Sequence, residues 1–387
     1  MLSSSLYAQQ YHFTNLGLHD GLPQSQVFAL CEDHQGYLWM GTRGGGLGRF
    51  NGQTFTNYSS RDGLASNYIS CLDEDHSGTL WIGTDRGLSS YDGYQFKTQP
   101  LSGDNQPVVA LLEDDQKQLW AATKKGLWRK QDSLFAPMLQ AIFEREDLQP
   151  QFLKQAPDGS IWMGTNQGIY IYEGTDSLRQ LTIKNGLPTN EVRSMTSDAA
   201  GNIWIGTYGH GAWLVNESGI YSMNRYTGLD GAIVTDILSD ESGLLWLATT
   251  GLGLCKYNLR DSSAVFLTEK DGLANNHLRN LLLDRWGNYW IGTSGGGVSK
   301  YAGQQFERFT ERDGLPGSYI YSVTADLRNQ LWIGTSGGGI TRYNGTRFAH
   351  FNRDSGFTNT KCRALLVARD SSRMDRHRRA GIGSAAR

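Results

Sequence analysis

The sequence predicts an all-β fold, a β-propeller of four-stranded antiparallel blades, on three observations. Tryptophan returns at Trp39, Trp81, Trp120, Trp162, Trp204, Trp246, Trp290 and Trp332, at spacings of 42, 39, 42, 42, 42, 44 and 42 residues. The phrase around most copies is shared, close to Asp-x-x-Gly-x-Leu-Trp-Ile-Gly-Thr-x-x-Gly-Gly. Each period also divides into four short β-prone runs, separated by Asn-Gly, Asp-Gly and Gly-Gly turn signals. Four strands in one such period is the size of a propeller blade.

The unit around Trp332 shows the elements in order. Asp313-Gly314-Leu315 leads in, and Tyr319 to Val323 alternates as a first strand. A polar turn spans 326–330, and Leu331 to Thr335 is a short apolar second strand. Glycines at 337–339 turn the chain into Ile340 to Tyr343, and Asn344-Gly345 turns it into Arg347 to Phe351. A glycine stands two residues after most of the tryptophans (Gly41, Gly83, Gly164, Gly206, Gly292 and Gly334), where a side chain would meet the neighbouring blade. Only 138–146 reads as a short helix.

Composition bounds the partners. With 36 basic and 38 acidic residues and a net charge of −2, nothing electrostatic favours nucleic acid or an anionic membrane. No apolar run reaches the length of a membrane span. Cys31, Cys71, Cys255 and Cys362 form no Cys-x-x-Cys pair and read as small buried apolar residues. Residues 1–8 resemble the end of a secretory signal cut after Ala8.

The phrases Leu80-Trp81-Ile82-Gly83-Thr84, Ile203-Trp204-Ile205-Gly206-Thr207, Tyr289-Trp290-Ile291-Gly292-Thr293 and Leu331-Trp332-Ile333-Gly334-Thr335 resemble the two-component regulator propeller repeat. So do Asp62-Gly63-Leu64, Asn185-Gly186-Leu187, Asp271-Gly272-Leu273 and Asp313-Gly314-Leu315, whose leucines, like Leu22 and Leu229, stand 17 residues before a Trp. The resemblance runs from about residue 11 to 366. It implies the periplasmic sensor region of a membrane histidine kinase, commonly two seven-bladed propellers, a β-sandwich, a membrane helix and the kinase. Several members sense oligosaccharides and switch on polysaccharide-use genes. A small-molecule or oligosaccharide ligand, a homodimer of the intact sensor and a periplasmic location are therefore expected, and no cofactor. The pattern departs at Ala121-Ala122, at Ala248, and before Trp162, where Asp-Gly-Leu is missing. No β-sandwich, membrane helix or kinase segment is seen in these residues.

The repeat phase sets the domain expectations. Residues 9–303 read as a first, seven-bladed propeller, closed by Tyr11 to Thr14 as fourth strand of the Trp290 unit; 304–366 read as the start of a second. A single eight-bladed ring is the alternative. Phe357 plus 17 places a ninth Trp at 374, where the sequence reads Met374; in a shifted frame, one codon choice for 373–379 encodes Trp-Ile-Gly-Thr-Asp. Residues 367–387 are thus expected to be a frameshifted tail.

No catalytic or metal constellation stands out, so the chain reads as a sensor and not as an enzyme; a propeller lyase or glycosidase and a pure interaction scaffold are the alternatives. Asp33, Asp75, Asp158, Asp198, Asp240, Asp284 and Asp326 read as turn-formers bonding their own backbone. The recurrent Trp reads as packing between blades. Ligand contacts are expected at one rim, on the loops between second and third strands and those entering each first strand. The rim candidates are Arg43, Tyr68, Arg86, Lys124, Lys125, Asn166, Glu191, Arg193, Tyr208, His210, His277, Arg279 and Tyr319. Their mixture of cations, amides and aromatic rings suits sugar hydroxyls, carboxylates and sugar faces.

Overall fold

A computed structural model describes residues 13–101, 106–132, 134–139, 142–143, 147–174, 178–302, 311, 314–317, 319–326, 330–344, 347–356, 361–367, 373–377 and 382–385. The expected signal remnant at 1–8, Tyr11, His12 and Asp313 lie outside them, as do 368–372, 378–381 and 386–387 of the tail. The chain divides into two compact units, residues 1–304 and 305–387.

Among the described residues the first unit holds seven four-stranded antiparallel sheets. Sheet 1 comprises Val27–Glu32, Leu38–Thr42, Leu47–Phe50 and Phe55–Tyr58. Sheets 2 to 6 repeat that order from first strands Ile69–Glu74, Val108–Glu113, Pro150–Gln155, Val192–Ser197 and Val234–Ser239. Sheet 7 contains Leu278–Leu283, Asn288–Thr293 and Val298–Ala302, and its fourth strand is Phe13–Leu16 from the other end of the unit. Phe13 pairs with Tyr301 and Leu16 with Val298. The first strands touch in succession, and that of sheet 7 touches that of sheet 1.

The tryptophans explain the packing. Adjacent strand residues face opposite ways. Trp39 therefore packs toward sheet 2, with Leu47, Leu64, Ile69 and Ile82, while Met40 packs toward sheet 7, with Trp290 and Val298. The same division recurs around the unit, so every sheet junction holds one Trp from one side and the residue after a Trp from the other. In sheet 3 the latter is Ala121, and Trp128 and Phe135 share its cluster. Gly41 is required by this fit, because a Cβ there would lie 2.5 Å from Ile69 Cγ2 of the next sheet.

Each Trp is also held by its turn aspartate. Asp33 Oδ1 accepts the Gln35 and Tyr37 N–H groups, and Oδ2 accepts the Trp39 indole N–H at 2.7 Å. Asp75, Asp114, Asp198, Asp240, Asp284 and Asp326 bond their tryptophans in the same way. Asp158 also bonds its own turn, accepting the Ser160 N–H at 3.0 Å, but it stands four residues before its Trp, not six, so Trp162 donates instead to Ser160 Oγ, at 2.9 Å. Asp114 is the turn aspartate the set omitted. A cation lies over several of the rings, as Arg49 does over Trp39 and Lys300 over Trp290.

The Asp-Gly-Leu signal is a capped turn. Ser60–Asp62 is a single 3-10 turn; Ser59 is its N-cap, and Asp62 Oδ2 accepts the Ser59 N–H at 2.8 Å. Gly63 ends it at φ +107°, in the left-handed region that favours glycine, and Leu64 is buried. Of the expected helix at 138–146, Ile142 and Phe143 are helical, Met138 instead ends the strand Leu134–Met138, and 140–141 and 144–146 lie outside the described residues. A four-residue helix, Asn224–Thr227, was not anticipated.

The second unit contains a four-stranded sheet of Ile320–Ala325, Leu331–Thr335, Ile340–Tyr343 and Phe348–Phe351. A three-stranded sheet of Cys362–Val367, Arg373–His377 and Ile382–Ala385 follows. Its register sets Leu366 opposite Met374, as Thr324 is set opposite Trp332. Met374 thus occupies the backbone position of the repeated Trp.

Candidate functional site

The rim begins with backbone. The residue four after a Trp donates its N–H to the carbonyl just before the first strand of its own sheet. Arg43 bonds Gln26 at 3.1 Å, Tyr208 bonds Glu191 at 3.0 Å and Ser294 bonds His277 at 2.9 Å. Three bridges then tie such a residue to the next sheet: Arg43 with Tyr68, Thr250 with His277, and Ser294 with Gln26. The side chains of this rim therefore project from a hydrogen-bonded frame.

A β-bulge sharpens the centre of the rim. In all seven sheets the pairing of first and second strands slips after the first residue, for instance between Val27 and Ala29 and between Leu278 and Asn280. The bulged residues are Phe28, Ser70, Val109, Gln151, Arg193, Thr235 and Arg279. A bulge re-aims a side chain that a regular ladder would send to one face. Two of the seven, Arg193 and Arg279, were expected contacts. The others were missed, although each stands eleven residues before its Trp.

Two groups of candidates meet. Asn166, Glu191 and Arg193 line a cavity of about 90 Å³ with Gln149, Gln151 and Thr165. Arg193 donates to Gln151 Oε1 at 2.8 Å, lies 3.6 Å from Glu191 Oε2 and sits 5.0 Å from the Tyr208 ring centroid. In the second group, Arg43 and Arg279 both lie against the Phe28 ring, at 5.6 and 4.7 Å. Arg279 Nε donates to Ser294 Oγ at 2.6 Å. Tyr68, half exposed, lies over Gly44 beside Arg43. Burial, then the charges of Arg43 and Arg193, hold the Arg279 guanidinium below its ordinary pKa, which joins the two groups electrostatically.

Of the remaining candidates, His210 sits beside the first group, its Nδ1 lying 3.2 Å from the Tyr208 carbonyl oxygen. Arg86, Lys124 and Lys125 occupy tight turns after Thr84 and Thr123. The His210 carbonyl accepts from Trp213 Nε1 and Asn224 Nδ2, a loop-fixing role. His277 joins the rim through its backbone. Tyr319 is exposed and belongs to the second unit.

Deeper on the first strands, burial raises Asp73 to about 6 and raises Asp236, with Lys154 opposing both shifts. Asp73 accepts the Glu113 N–H and Asp236 the Leu281 N–H, each on the following sheet. A larger cavity, about 480 Å³, opens between sheets 3 and 4 at the opposite, Asp-turn end, lined by Asp114, Trp120, Arg129, Asp158 and Tyr172 among others. It coincides with the turn where Ala156 stands in place of the usual aspartate, and it gathers none of the rim candidates. Among the described residues no three of His, Cys, Asp and Glu are grouped to hold a metal, and no helix is long and apolar enough to cross a membrane.

The family described as two-component regulator propeller matches residues 21–44, 63–86, 186–209 and 272–295. Each match begins at the Gly of the Asp-Gly-Leu signal or its variant and runs through the first two strands into the rim turn. Four stretches of the chain thus match the two-component regulator propeller repeat. Among solved structures, this chain resembles the extracellular domain of the putative hybrid two component system BT3049 from B. thetaiotaomicron, at 25% identity and a TM-score of 0.66, covering 97% of this chain and 53% of that one. It also resembles the extracellular domain of the putative one component system BT4673 from the same organism, at 20% identity and a TM-score of 0.62, over 97% of this chain and 58% of that one. A catalytically inactive virginiamycin B lyase from Staphylococcus aureus shares the fold at 13% identity and a TM-score of 0.61, over 76% of this chain and 99% of that one. No curated protein sequence matches. The chain spans about half the length of the two extracellular domains it resembles.

Proposed function

We propose that this chain is the extracytoplasmic ligand-sensing region of a two-component regulator, with a seven-bladed ring as its sensing body and residues 304–366 as the start of a second propeller. The ligand class is an oligosaccharide, bound at the rim. The observation that carries this reading is the convergence of Asn166, Glu191 and Arg193 with Gln151 on one small polar cavity beside the Tyr208 ring. Amide, carboxylate and guanidinium groups at that spacing suit vicinal hydroxyls, and Tyr208 supplies a face for a sugar ring. The backbone frame keeps the rim rigid, so the binding energy is free to act on packing between blades, propellers or protomers.

The test is thermal-shift screening against defined oligosaccharides, with chromatography of each hit. A hit that raises Tm, is weakened by Tyr208→Ala and Gln151→Ala, and is recovered intact supports sensing. Cleavage or elimination of the sugar would replace it with the lyase reading that the virginiamycin B lyase fold invites.

A further inference from the structure

We infer that Arg43, Arg193 and Arg279 form an oxyanion site at the rim, so that the ligand is an acidic saccharide bearing carboxylate or sulfate groups. This rests on the rim being the binding face.

The geometry begins at Phe28. Both Arg43 and Arg279 lie against its ring, with Cζ-to-centroid distances of 5.6 and 4.7 Å. Both are fixed by the same junction of sheets 7 and 1. The Arg43 N–H donates to the Gln26 carbonyl, Gln26 bridges to Ser294, and Ser294 Oγ takes the Arg279 Nε hydrogen bond. Among the described residues no carboxylate pairs with Arg43 or Arg279. Arg193 completes the group from sheet 5. Its Nε is buried without a hydrogen-bond partner, and its one close carboxylate, Glu191, stands at 3.6 Å.

Two guanidinium groups gathered on one apolar ring repel one another, the charge of Arg193 adds to that repulsion, and burial adds to the cost. A bound oxyanion offsets both terms and accepts planar, bidentate hydrogen bonds that neutral hydroxyls match poorly. Phe28 supplies the apolar floor against which a sugar face packs beside its acid group. The chain's net charge of −2 makes this a local feature of the rim, not of the whole surface.

Isothermal titration of the full chain decides it, with four probes: tetragalacturonate, its carboxyl-reduced neutral counterpart, a sulfated disaccharide and inorganic sulfate. The acidic sugars should bind at least tenfold more tightly than the reduced one, and Arg279→Gln or Arg43→Gln should weaken them at least tenfold. Arg279→Lys should restore part of that loss. The ratio of uronate to sulfated probe identifies the anion, and either winner supports the site. Unliganded Tm values within a few degrees of the parent keep the variants interpretable. Equal binding of the reduced sugar, unmoved by the arginine variants, overturns the oxyanion site and leaves the oligosaccharide reading standing. Silence with all four probes overturns both.

Discussion

Asp33 Oδ2 accepts the indole N–H of Trp39 at 2.7 Å, while Oδ1 of the same carboxylate closes the turn that leads into that strand. One side chain thus fixes a loop at the surface and a ring in the core. Removing it leaves a buried donor unpaired, which costs about 1–3 kcal/mol. Asp33→Ala should lose that much in urea unfolding, and Asp158→Ala distinctly less, because Trp162 bonds Ser160. Equal losses at the two sites would refute the distinction.

The close approach of neighbouring sheets gives a second expectation. A Cβ on Gly41 would lie 2.5 Å from Ile69 Cγ2 and 3.2 Å from Ala29 Cβ. Gly41→Ala should cost about 1–3 kcal/mol through overpacking. At the equivalent position in sheet 6 the chain already carries Ala248, fully buried opposite Asp236. Ala248→Gly should cost no more than about 1 kcal/mol. Denaturant midpoints of the two variants check the contrast.

The junction of sheets 7 and 1 carries a charged clasp. Arg285 Nε lies 2.8 Å from Glu32 Oε1, its backbone N–H donates to Glu32 Oε2 at 2.9 Å, and its guanidinium also donates to the His34 and Asp33 carbonyls. His34 and Glu74, and His76 and Glu113, clasp the next two junctions. Arg285 is partly exposed, so Arg285→Ala should cost about 1 kcal/mol, shrinking as salt rises. Thermal unfolding at low and high ionic strength measures both effects; a salt-independent loss would assign the cost to packing.

Acidity should act through Asp73. Burial raises its carboxyl from 3.8 to about 6. A raised folded-state value favours the protonated form, so its contribution is full below the unfolded value and is lost as pH rises through about 6. His34 is raised in the same direction by its Glu74 hydrogen bond, and that contribution is lost as pH rises past its folded value. Asp73→Asn keeps an acceptor for the Glu113 N–H and should flatten the decline between pH 4 and 6 in urea unfolding. An unchanged pH profile would show that Asp73 does not carry it.

The blade was legible because its signals are local and repeated. The Trp period, the Asp-Gly-Leu cap and the glycine two after Trp each answer to one contact, namely Trp39 against Ile69, Asp62 onto Ser59 and Gly41 under Ile69. The Trp162 bond to Ser160 was not legible, because Asp158 forms its turn two positions later in the repeat than the other aspartates. At the rim, Arg193 and Arg279 were visible as charged residues near a loop. Phe28, Ser70 and Gln151 were not, because an ordinary β-strand reading assigns them to one face of the sheet. The bulge that turns them inward leaves no mark in composition; it is visible only as a fixed offset from Trp. Nor does sequence tell which loop candidates meet, and Lys124 and Lys125 share the composition of the rim without sharing its contacts.

Phe13–Leu16 pairs with Val298–Ala302, so the first strand of the unit to leave the ribosome is the last to find its partner. Until residues 298–302 have been made, Phe13–Leu16 has no partner in the unit, and until the two strands meet each is open for pairing with another copy of the chain. Sealing is a long-range event and correspondingly slow. The interval between synthesis and closure is therefore the stage at which a chaperone would act on this protein, and at which a strand exchange between two copies would begin.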